Sequence, residues 1–73
     1  MRYLQKRSLR ISGHRTSVAL EPEFWAALES IAKARAVSMP VLLAQIEAGK
    51  SSAEQSLASA ARVAALRFSG GAG

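Results

Sequence analysis

A chain of 73 residues has room for one domain, near the size at which a monomer struggles to bury enough apolar surface. It has no cysteine and a single histidine, His14, which excludes disulfides and thiolate metal sites and argues against any metal site built from this chain alone. The net charge of +5 is confined to the first twenty residues: Arg2, Lys6, Arg7, Arg10 and Arg15 precede the first acid, Glu21, and from Glu21 onward five acidic and five basic side chains balance.

Residues 1–13 are polar and basic and end at Gly13, with Tyr3, Leu4, Leu9 and Ile11 scattered at no sustained period. They read as a flexible basic arm. Residues 14–21 alternate, with Thr16, Val18 and Leu20 on one face and Arg15, Ser17 and Ala19 on the other, which predicts a β-strand. A lone strand leaves its backbone groups unpaired. The expected partner is the same strand of a second molecule, paired antiparallel about a two-fold axis.

Pro22 opens a helix predicted to run to about Arg35, with Glu23 in its first turn and a stripe of Phe24, Ala27, Leu28 and Ile31. Trp25 lies at the edge of that stripe. Ser38 is placed to cap a second helix over 39–48, whose apolar face is Met39, Leu42, Leu43 and Ile46 and whose C-cap is Gly49. Ser51-Ser-Ala-Glu54 has the capping-box spacing and predicts a third helix over 52–68, lined by Leu57, Ala60, Ala61, Ala64 and Phe68. Residues 69–73, rich in glycine, read as a flexible tail. The domain is thus expected over 14–68, mainly α with one strand.

Hydrophobic residues make up 49% of the chain but aromatics only 5%, because alanine supplies much of the total. Alanine-rich helices with few large anchors favour packing against a second copy. Charge interrupts every apolar stretch well short of the roughly 20 residues that a membrane span needs. The acid-free N-terminus has the composition of a transit peptide, but it lacks an amphipathic helical face and runs into a strand. No apolar core of a secretory signal follows it. The expected location is the cytoplasm, with the nucleoid.

The order strand, helix, short turn, helix resembles the ribbon-helix-helix family of dimeric DNA-binding proteins, the Arc/MetJ type. The matching residues are Thr16-Ser-Val-Ala-Leu20, Glu21-Pro-Glu-Phe-Trp25 and Val37-Ser-Met-Pro40. With Leu57-Ala-Ser-Ala-Ala-Arg-Val63, the run from His14 is similar to a bacterial subfamily that adds a C-terminal helix. The resemblance implies a homodimer whose paired strands form a ribbon that enters the major groove. By position it assigns base reading to Arg15, Ser17 and Ala19, the last limited to contact with a thymine methyl. It assigns a phosphate to the start of the second helix, at Ser38 and Met39. The arm residues Lys6, Arg7 and Arg10 are expected to follow the DNA backbone.

The serines have no His/Asp companions from which to build a nucleophile, so no enzyme and no cofactor are expected. The leading reading is a homodimeric transcriptional regulator with double-stranded DNA as its partner. The alternative is a protein-interaction adaptor, or an antitoxin-like protein, that docks a partner through the third helix.

Overall fold

Residues 3–72 are described by a computed structural model, with side chains as far as Phe68. The elements run β1 (Gln5–Ile11), β2 (His14–Leu20), α1 (Pro22–Arg35), α2 (Met39–Ala48) and α3 (Leu57–Ala72). The expectation of one strand preceded by a flexible arm is corrected: residues 5–11 are a strand, paired antiparallel with β2 from Gln5↔Leu20 to Ile11↔His14. Of that arm, Met1 and Arg2 lie outside the described residues. The partner strand is therefore in the same chain, and the argument that a lone strand requires a second copy falls away.

The cause is the connection. Ser12 and Gly13 both take positive φ, 54° and 83°, the backbone of the two-residue turn whose twist matches a hairpin. Nothing lies within 4 Å of a Cβ built on Gly13, so a substitution there meets only backbone strain. Gly13→Ala should cost about 1–2 kcal/mol in urea unfolding, and Gly13→Asn clearly less, because asparagine tolerates this region. Equal stability of Gly13→Ala and the parent would mean that the turn adopts another geometry.

One face of the hairpin lies on the helices. Ile11, Val18 and Leu20 are buried there, with Leu9 packed beside them. The expected inward register of Thr16, Val18 and Leu20 agrees with this burial.

α1 begins at Pro22, whose missing N–H costs nothing at that position. It ends at Ala36, held in the left-handed region at φ 58°, with the Val37 N–H donating back to the Ala32 carbonyl at 3.0 Å. Its buried residues are Trp25, Leu28, Ile31 and Ala32, and Phe24 is only half-buried. The stripe is thus turned by one residue from the expected one. Trp25 is not at its edge but at its centre, with 1% exposure, and its indole Nε1–H donates to the Gln5 carbonyl of β1 at 2.8 Å. The missing strand and the misplaced tryptophan have one origin, since the indole packs under β1.

Ser38 caps α2 as expected, its Oγ accepting from the Val41 N–H at 3.4 Å, and Leu42 and Leu43 are fully buried. α3 starts later than expected. Ser51 donates both its N–H and its hydroxyl to the Gln55 side chain, which folds the segment before the helix, and Ser56 provides the cap by accepting from the Ser59 N–H at 3.0 Å. The helix continues to Ala72, through most of the segment expected as a tail, and Gly73 lies outside the described residues. Ala60, Ala61 and Ala65 are buried, small enough to let α3 lie close to the body. Arg62 ties α3 to the start of α1, donating to Glu21 Oε1 at 3.0 Å with its guanidinium 5.9 Å from the centre of the Phe24 ring.

Candidate nucleic-acid interface

Directly opposed residues of an antiparallel pair project to the same side, so the register fixes both faces of the hairpin. The helix-covered face takes Arg7↔Val18 and Leu9↔Thr16; the other takes Lys6↔Ala19, Ser8↔Ser17 and Arg10↔Arg15. On this second face every side chain except the half-buried Ala19 is exposed. It carries three cations and two hydroxyls, and neither strand contributes an acid. The hydroxyls of Ser8 and Ser17 meet across the strands at 3.2 Å.

Arg10 and Arg15 are cross-strand neighbours. Like charges directly opposite each other destabilise a strand pair, by a few tenths of a kcal/mol to about 1 kcal/mol. The hairpin bears that cost on its most exposed face. A polyanion laid across the ribbon would remove it and convert the repulsion into binding energy.

Of the residues assigned from the sequence, the structure brings Lys6, Arg10, Arg15, Ser17 and Ala19 onto this one face. Ser8 joins them, unforeseen because β1 itself was. Its signal was the Ser12-Gly13 dipeptide between two runs that each end in an apolar residue. Arg7 does not join them. It points to the helix side, where its guanidinium donates to Glu29 Oε2 at 3.0 Å and lies 4.4 Å from the centre of the Trp25 ring. It acts as a lid on the indole, a packing role. Ser38 and Met39 lie apart from the ribbon in sequence, at the start of α2, where the Ser38 side chain serves as the cap.

Arg7→Gln is accordingly expected to cost about 1 kcal/mol of stability, from a half-exposed ion pair and a cation–π contact. It should leave affinity for a polyanion within about twofold of the parent, whereas Arg10→Gln should do the reverse. Denaturation and binding titrations on the two variants read both effects, and a large affinity loss for Arg7→Gln would place that side chain among the binding groups.

No group of three His, Cys, Asp or Glu side chains able to hold a metal ion occurs among the described residues. His14 is exposed at the turn end of β2, beside a shallow depression lined by Glu47 and Leu57. Among the described residues no charged or polar side chain is buried. No helix of the described residues is long and apolar enough to cross a membrane.

A two-stranded ribbon backed by helices presents one exposed, basic and acid-free face. A family model described as a ribbon-helix-helix domain matches residues 4–68, nearly the whole chain and the whole of the hairpin with it. The chain belongs to the ribbon-helix-helix family, a non-enzymatic fold of DNA-binding transcription regulators that typically act as dimers. No curated protein and no solved structure matches the chain.

Proposed function

We propose that this chain is a homodimeric transcriptional regulator that binds double-stranded DNA through the outer face of its hairpin, in a bacterial cytoplasm. The opposed Arg10–Arg15 pair carries this reading, because a like-charge pair on an exposed, acid-free ribbon is explained by an anionic partner.

The hairpin is a two-stranded sheet, so the edge of β2 remote from β1 has no strand beside it among the described residues. A second β2 fits there, since β2 is the strand that resembles the family's ribbon. The dimer would then hold a four-stranded sheet in the order β1, β2, β2, β1. At about 4.8 Å per step its outer strand axes lie about 14 Å apart. The major groove is about 12 Å wide. The two central strands would then face the bases, offering Arg15 and Ser17, with Ala19 against a thymine methyl. The outer strands would ride over the groove edges, with Lys6 and Arg10 at the phosphates. The start of α2, with Ser38 and Met39, would take a further phosphate as the resemblance implies.

The test combines sedimentation with titration of a fluorescent duplex of random sequence. The expected result is a dimer at micromolar concentration whose affinity falls steeply with added salt. A chain that binds no duplex at low salt would sink this reading. The α3 adaptor would then be the one to pursue.

A further inference from the structure

α1, α2, α3 and the segment joining α2 to α3 enclose a groove of about 470 Å³. That volume lies in the range of small-molecule sites, about 300–1,000 Å³. No lining residue comes from either strand, so the groove is separate from the proposed DNA face.

Its walls are of two kinds. Ile46, Val63 and Phe68 supply hydrocarbon over the buried Ile31 and Leu42, and Phe68 is 42% exposed although it is one of only four aromatic residues in the chain. Arg35, Lys50 and Arg67 supply positive charge, and no lining residue is acidic. Lys50 is the most enclosed of the three, its side chain 15% exposed, with its ammonium held by Glu47 at 2.9 Å from outside the lining. Arg35 spends one donor on the Gln45 side chain. Arg67 has no carboxylate partner among the described residues.

From this juxtaposition we infer that the groove is a binding site for a small organic anion with a hydrocarbon body, such as an aryl or short-chain carboxylate. The body covers Ile46, Val63 and Phe68, removing exposed apolar surface from water. The anionic head meets the arginines at the mouth, where a guanidinium recognises a carboxylate in bidentate fashion. A bare inorganic anion would leave the apolar wall uncovered. A neutral hydrocarbon would leave Arg35 and Arg67 facing it without a counter-charge.

The test uses the intact chain and two probes that differ only in charge. They are 8-anilinonaphthalene-1-sulfonate and its uncharged parent N-phenyl-1-naphthylamine, each titrated by fluorescence and by amide chemical shifts. The sulfonate should bind one per chain, at least about tenfold more tightly than the neutral parent. Its shifts should fall on Ile46, Gly49, Lys50, Val63 and Phe68 and leave Ser8 and Ser17 unmoved. Arg35→Glu with Arg67→Glu, both at exposed positions, should remove most of that preference and leave the far-ultraviolet circular dichroism unchanged. Ala64→Trp, which fills the groove, should remove both probes. Equal binding of the two probes to the parent chain overturns the proposal without any variant. So does saturation of the ribbon amides in place of the groove, or the absence of saturable binding. DNA affinity is measured separately, with duplex and no probe, so that failure of the groove proposal and failure of the DNA reading are told apart.

Discussion

Trp25→Ala is expected to remove about 3–5 kcal/mol of stability, the usual cost of deleting a large aromatic from a packed core. At 0.05–0.15 kcal/mol per residue, a domain of 73 residues has roughly 4–11 kcal/mol in all, so this one change should bring the chain to the edge of unfolding. The cost has three sources. The ring is 1% exposed and sits with Leu20, Leu28, Leu42 and Leu43, which are all fully buried. Its Nε1–H satisfies the Gln5 carbonyl. Its face receives the Arg7 guanidinium. Trp25→Phe keeps most of the ring but loses the hydrogen bond, and should cost about 1–3 kcal/mol. Urea unfolding followed by circular dichroism measures both, because Trp25 is the only tryptophan and its replacement removes the intrinsic fluorescence signal. A cost below about 1 kcal/mol for Trp25→Ala would show that β1 is not held down by the indole.

The same residue marks where sequence reasoning stopped. α1 and α2 were legible as helices, because Pro22, Ser38 and Gly49 punctuate them and their leucines and isoleucines recur at helical spacing, although the buried face of α1 was not. β2 was legible because Val and Leu alternate with polar residues. β1 was not, because its inward positions are Gln5, Arg7, Leu9 and Ile11, so half of the face against the core is polar. That face works only because Trp25 and Glu29 receive Arg7 there, a long-range pairing that no local pattern displays. The start of α3 was obscured differently. The Ser51–Glu54 spacing pointed to a cap there, but Ser51 bonds the Gln55 side chain and Ser56 caps the helix instead. For the candidate site, the basic residues were visible as a charge block, but their sorting between two faces required the register. The block reads as five equivalent cations, whereas the fold directs Arg7 inward and leaves Lys6, Arg10 and Arg15 outside.

That sorting yields the largest functional effect expected. Replacing Lys6, Arg10 and Arg15 together by alanine should weaken duplex binding severely while leaving the fold intact or slightly more stable, since the Arg10–Arg15 repulsion goes with them. In a dimer these side chains present six cations. If each neutralises a phosphate or displaces its counterion, log K should fall with log salt at a slope near −5, or about a thousandfold in affinity between 50 and 200 mM salt. The triple variant should flatten that slope and weaken binding on the order of a hundredfold or more at the lower salt. The single variants should divide the labour. Lys6→Ala, on the outer strand, should weaken all duplexes alike and reduce the slope by about 2 for the two copies. Arg15→Ala, on the central strand, should instead relax discrimination at one base pair in each half-site, by about 1–3 kcal/mol. Arg7→Gln serves as the internal control, because it removes a cation of the same sequence block from the opposite face. Titrations of these variants against two unrelated duplexes at several salt concentrations separate the roles. If Arg7→Gln flattens the slope as much as Arg10→Gln, the binding energy comes from the charge block as a whole and not from one face of the ribbon. The groove-edge geometry proposed for β1 would then be wrong.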